Sequence, residues 1–225
     1  AVEPGPRDPD PSVLIAPAHL EGLGVDEVDF IKVDVDGKDF EILNAFDESF
    51  DALGVLGVGV EVNFFGLDDD TCNSFHNVDR YMRAKGFELM DLSFWRYSLS
   101  ALPGRFVWGA PAATDFGRIV QGDALYARDI GNPRIAAAAD GWSGEKLARL
   151  ALLFSMFNLP DCAAEVIGQH RARLSAALDP DAALDILAEQ ARGPGAATVS
   201  YAEHMAAFER DDPAFYRGWP RKEGS

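Results

Sequence analysis

Phe30-Ile31-Lys32-Val33-Asp34-Val35-Asp36-Gly37 is a short apolar run interrupted by one lysine and closed by two carboxylates and a glycine. A β-branched run of this length that ends in a turn signal predicts a buried strand. Strand alternation puts Phe30, Lys32 and Asp34 on one face and Ile31, Val33 and Val35 on the other. The carboxylates then fall at the strand's exit, the edge at which open α/β sheets carry out their chemistry. A buried lysine is costly, so Lys32 requires an anionic partner.

Outward from this stretch the pattern alternates between strand and helix. Residues 38–46 carry Phe40, Leu43 and Phe46 at helical spacing with Glu41 outside. Val55 to Asn63 is a second apolar run, with Gly57, Gly59, Glu61 and Asn63 on one face and Val58, Val60 and Val62 on the other. Two strands joined by a helix are most economically parallel neighbours. The acidic loop 68–70 is expected to cap a helix over 71–85 that Gly86 ends, and 87–92 reads as a third strand. Residues 93–120 are irregular and rich in aromatics, a lid or a satellite core, and 124–128 is a fourth strand. The expected fold is α/β, Rossmann-like, with a mainly parallel sheet over 12–132.

Beyond residue 132 the composition turns helical. Ser143 caps a helix to about 158, a second helix is expected over 162–178, and Asp179-Pro180 opens a third to Ala191. Residues 133–210 are therefore expected to form a C-terminal helical extension that offers a surface to a protein partner. The proline-rich residues 1–11 read as a disordered leader or cut end, and 211–225 as a loose tail.

A formal charge of −17 and a pI near 4.5 speak against nucleic acid and anionic membrane as partners, since phosphate would be repelled. No stretch approaches the roughly 18 to 20 apolar residues of a membrane helix. Cys72 and Cys162 are far apart and lack zinc or disulfide spacing, so a reducing, cytoplasmic setting is expected.

Taken together, residues 12–129 resemble the C-terminal half of the FkbM-type S-adenosylmethionine-dependent methyltransferases. The likeness rests on residues 29–37, on Phe40-Glu41-Ile42-Leu43, on Val58-Gly59-Val60-Glu61-Val62-Asn63 and on Gly86-Phe87. It departs from the family in Asp36, where glutamate is commoner, and in Lys38, where a small residue is usual. The resemblance implies methyl transfer from S-adenosylmethionine to an oxygen of a glycan or secondary metabolite, a small-molecule acceptor class. It implies a partial class I methyltransferase domain, because no glycine-rich cofactor turn lies upstream. Gly22-Leu23-Gly24 lacks a following helix, and Gly57 and Gly59 lie inside a strand. The 225-residue chain alone is therefore expected not to bind S-adenosylmethionine appreciably.

The candidate catalytic residues are Asp34, Asp36, Glu61 and Asn63, which adjacent strands would bring to one rim to orient an acceptor hydroxyl or take its proton. A structural alternative pairs Lys32 with Glu61 as a buried ion pair and makes Asp36 the cap of the helix after Gly37. A divalent cation held by these carboxylates and the amide oxygen is a third possibility. Two rival readings start from the same residues. Asp34-Val35-Asp36-Gly37 matches the Asp-x-Asp-Gly start of haloacid-dehalogenase-type, magnesium-dependent phosphotransferases, with Asp34 as nucleophile and Asp36 as acid/base. The acidic chain could also be a non-enzymatic interaction module for a basic partner.

Overall fold

The computed structural model describes Leu20 and residues 22–66, 69–98, 114, 116–191 and 200–210. The chain divides into two compact units, Ala1–Arg128 and Asp129–Ser225. The first unit is a four-stranded sheet with helices: β1 (Phe30–Val33), α1 (Asp39–Phe46), α2 (Ser49–Ala52), β2 (Gly57–Asn63), α3 (Phe75–Ala84), β3 (Glu88–Tyr97) and β4 (Arg118–Ala127). The strand order is β1-β2-β4-β3.

β1 and β2 pair in parallel, as their helical connection predicts, with Lys32 level with Gly59 and Val33 level with Val60. β4 runs antiparallel to both β2 and β3. The sheet is thus mixed rather than mainly parallel, with two of its three pairings antiparallel. The reason is that β4 returns between β2 and β3 instead of adding at the edge, while β1, β2 and β3 themselves share one direction.

The strands also extend further than their apolar runs. β3 continues through Ser93–Tyr97 and β4 begins at Arg118, so the two ends of the irregular aromatic stretch belong to the ladder between these strands. The lid reading of that stretch falls mainly on residues outside those described. Helix α3 starts at Phe75 rather than 71, because Asp69 does not cap it. Its Oδ1 accepts instead from the N–H and hydroxyl of Thr71, both at 2.6 Å.

One face of the sheet carries the core. Val33, Val58, Val60, Val62, Ala124 and Tyr126 meet Phe40, Leu43 and Phe46 of α1, Phe50 of α2 and Val78 and Met82 of α3. This is the apolar half of the period-2 pattern in β1 and β2 and the 3.6-residue stripe of α1. Phe40 packs edge-on to Tyr81, centroids 5.7 Å apart, and the Tyr81 hydroxyl donates to the Leu43 carbonyl at 3.0 Å, so α1 and α3 are locked side by side. At the far end the Arg128 guanidinium lies 3.9 Å over the Phe87 ring and donates to the Lys85 carbonyl at 2.7 Å and to Asp51 at 2.6 Å.

The second unit is helical: a 3-10 turn (Ala136–Ala139), then α4 (Gly144–Met156), α5 (Pro160–Gln169), α6 (Arg171–Leu174), α7 (Pro180–Gln190) and α8 (Tyr201–Arg210). Ser143 caps α4 by accepting from Lys146 N–H, and Asp179 caps α7 by accepting from the N–H groups of Asp181 and Ala182, as the sequence predicts. The helix expected over 162–178 begins instead at Pro160 and breaks at His170. His170 is 5% exposed and satisfied at both ring nitrogens. Nδ1 accepts from Arg173 at 2.7 Å, which leaves Nε2 to donate to the Ile130 carbonyl at 2.8 Å. Arg173 also donates to the Ala139 carbonyl at 2.6 Å, so the pair stitches residues 130–139 to the helices. His170→Ala strands these groups and is expected to cost about 2–4 kcal/mol of the unit's stability, read as a lower urea midpoint. Among the described residues no helix is long and apolar enough to cross a membrane.

Candidate functional site

The other face of the sheet is polar where β1, β2 and β4 meet. Continuing the β1 register beyond Val33 puts Asp34 level with Glu61, and Glu61 in turn is level with Asp123 of β4. Two residues before Glu61 on β2, level with Lys32, is Gly59, and the missing side chain there matters. The Phe30 ring and the Lys32 chain pass over Gly59, so that a Cβ at this position would meet Phe30 at 3.1 Å and Lys32 at 3.4 Å. Lys32 thereby crosses β2 and places its ammonium 2.8 Å from Asp123 Oδ1 and 3.7 Å from Asp34 Oδ2.

This corrects the expected buried Lys32–Glu61 pair. Lys32 is 44% exposed at its side chain, because β1 is an edge strand, and its hydrogen-bonded partner is Asp123. Partial burial pulls the Lys32 pKa down, but the Asp123 hydrogen bond and the charges of Asp123, Asp34 and Glu61 outweigh it and hold the ammonium above its ordinary value.

Glu61 is the half-buried acid of the group. Desolvation raises its pKa, a hydrogen bond from Gln121 opposes the rise, and the carboxylates of Asp39, Asp34 and Asp123 add to it. The net effect is a carboxylate that holds a proton more readily than a free glutamate. Asp34, Glu61 and Asp123 therefore share one rim, with Lys32 among them.

Asp36 does not join it. Asp36 is exposed and stands in the left-handed region at φ 52°, followed by Gly37 at φ 93°. Nor does it cap α1, whose N-cap position is Lys38 and which has no side-chain cap bond. The turn before the helix is held instead by Asp39, the first residue of α1, which the sequence alone does not single out. Asp39 is fully buried, with Oδ1 accepting from Val35 N–H at 3.2 Å and Oδ2 from Gly37 N–H at 3.0 Å and from the Asn73 amide at 3.1 Å. The two backbone bonds clamp the Asp34–Gly37 turn and hold Asp36 in a conformation that few residues other than glycine adopt. A carboxylate placed two residues after a glycine, at the first turn of a helix, was the available signal.

Asn73 extends the clamp to β2. Its side-chain amide also donates to the Glu61 carbonyl at 3.3 Å, and its backbone carbonyl accepts from Asn63 N–H at 3.2 Å. A parallel bridge between Asn63 and Ser74 follows. Asn63 therefore leads away from the acidic rim into a recess of about 310 Å³, which it lines with Phe64, Phe65, Ser74, Phe75 and His76.

The cation reading does not fit this arrangement. Among the described residues no three of His, Cys, Asp and Glu gather to hold a metal ion, and between Asp34 and Asp123 the Lys32 ammonium supplies the positive charge. The described residues do not fit S-adenosylmethionine either. Gly57 and Gly59 lie within β2, the latter beneath Phe30 and Lys32, and Gly24 ends a helical turn and leads into no helix before β1.

Residues 16–89 match the methyltransferase FkbM domain family, about a third of the chain, and the match spans every motif on which the sequence resemblance rests. Neither the curated proteins nor the solved structures contain a match to the chain.

Proposed function

We propose that the FkbM-type domain serves the acceptor side of methyl transfer to a hydroxyl oxygen of a glycan or secondary metabolite. The observation that carries this reading is Glu61, whose raised proton affinity and place on the rim suit it to take a proton from a hydroxyl. S-adenosylmethionine would supply the methyl group, as it generally does in this family, and on this reading the described residues serve the acceptor and not the donor. The acceptor hydroxyl binds at the rim. Its proton passes to a Glu61 carboxylate oxygen as the hydroxyl becomes an ether. Lys32 sits beside Asp34 and Asp123 and offsets their charge, which would otherwise oppose ionising Glu61. Asp39 acts only through the turn that it clamps.

The domain match covers the Asp34–Gly37 segment itself, which favours methyl transfer over the phosphotransferase reading of the same residues. Transfer of a radiolabelled methyl group from S-adenosylmethionine to hydroxylic acceptors in the native protein tests the assignment. Magnesium-dependent hydrolysis of phosphate esters without methyl transfer would overturn it. Titration of the 225-residue chain alone with S-adenosylmethionine is expected to show no micromolar isotherm by calorimetry.

A further inference from the structure

Two residues beyond Glu61 on the same strand face, about 7 Å along β2 at roughly 3.3 Å per residue, Asn63 opens the recess at the end of the strand. Its walls are aromatic. Phe64 and Phe75 stack on each other with centroids 5.3 Å apart, and Phe65 stands 62% exposed beside them. Its polar groups are few: the Asn63 amide, the Ser74 hydroxyl and the His76 imidazole, with Ser74 Oγ and His76 Nε2 3.4 Å apart. Ser74 occupies the N-cap position of α3 yet makes no side-chain cap bond there, so its hydroxyl faces His76 instead. Among the described residues no lysine or arginine lines it.

We propose that this recess is the acceptor pocket and takes a neutral, flat ring bearing one or two hydroxyls, a phenol-type acceptor. The proposal rests on the methyl-transfer reading above and decides between its two acceptor classes. Size permits a single ring with substituents, and Phe65 presents a free ring face for it to stack on. Three polar side chains satisfy one or two hydroxyls. A hexose brings several more, and each hydroxyl left against phenylalanine without a partner costs about 1–3 kcal/mol. Anionic acceptors find no lysine or arginine among the described lining residues, and the chain's net charge of −17 repels them. The recess opens on the strand face that carries Glu61, so an acceptor that reaches about 7 Å back along β2 brings its hydroxyl to that carboxylate.

Binding is measured by NMR at the backbone amides of Asn63 and Ser74, with phenol and methyl glucoside as probes and no methyl donor present. Phe65 and His76 are both exposed, so Phe65→Ala and His76→Gln leave the fold intact. Phenol is expected to bind at least about tenfold more tightly than methyl glucoside, and each substitution to weaken it by about fivefold. Equal or tighter binding of the glucoside, or phenol binding untouched by both substitutions, overturns the pocket. The donor-free measurement separates this from the function itself. Phenol bound in the recess but never methylated upholds the pocket and removes the methyl-transfer reading. Methyl transfer that both substitutions leave unaltered removes the pocket and upholds the reading.

Discussion

Asp39→Ala is expected to destabilise the α/β unit by about 2–4 kcal/mol, the largest loss from any single side chain at the site. The carboxylate is fully buried and accepts from two backbone N–H groups and from the Asn73 amide. Truncation takes the acceptor from both backbone donors and leaves the Asn73 amide only the Glu61 carbonyl, and hydrogen bonds to a charged acceptor are worth more than neutral ones. It also releases a turn that contains Asp36 at φ 52°, a conformation that persists only where neighbours over-determine it. Asp39→Asn keeps the volume but turns an amide N–H₂ toward one of the donors, so it should recover only part of the loss. Urea denaturation reads both variants. A midpoint for Asp39→Ala within experimental error of the parent would mean that the turn is held by something else.

Glu61→Gln is expected to lower methyl transfer by about 10²–10⁴-fold, the range that positioned proton transfer contributes. The same substitution should raise stability at neutral pH. Glu61's folded pKa is raised, so the ionised form is penalised only in the native state. Below the ordinary glutamate range both states are protonated and no penalty exists. It appears as pH rises through that range toward the elevated folded pKa, and is complete above it. The stabilisation by glutamine should therefore vanish in acid and grow with pH, while the parent's rate climbs over a limb displaced above that of a free glutamate. Paired denaturation and rate profiles check the two together. A variant that is less stable but turns over normally would assign Glu61 a structural role, and would sink its assignment as the base.

The contrast between these two residues shows what a linear reading can and cannot find. Glu61 stands in an unbroken alternation from Val58 to Asn63, so its face and its neighbours Gly59 and Asn63 follow from the period of two. Asp39 looks in sequence like an ordinary acidic residue in the first turn of a helix. Its burial comes from Asn73, 34 residues on, which no local pattern connects to it. Asp123 was missed for a related reason. It lies just ahead of the apolar residues 124–127 that announce the strand, and only the antiparallel pairing with β2 sets it opposite Glu61.

Lys32 shows the same division. Its position on a strand and the need for an anionic partner were legible, because alternation and the cost of an unpaired charge are local facts. The partner's identity was not, since it depends on Gly59 letting the side chain cross β2. In the helical unit the caps at Ser143 and Asp179 followed directly from residue type, while the break at His170 did not. That break is set by contacts with the Ile130 carbonyl and Arg173.

The amino-acid order by itself determined the β1-α1-β2 unit, the parallel pairing of its strands, the faces of Lys32, Glu61 and Asn63, and the helix caps, all of which arise from periodicities and bonds within a few residues. Only the tertiary structure decided that β4 inserts antiparallel between β2 and β3, that Asp123 rather than Glu61 receives Lys32, and that Asp39 holds the turn. Those outcomes depend on pairing and burial between segments distant in sequence, where free energy is set by which groups meet and not by what either segment prefers alone.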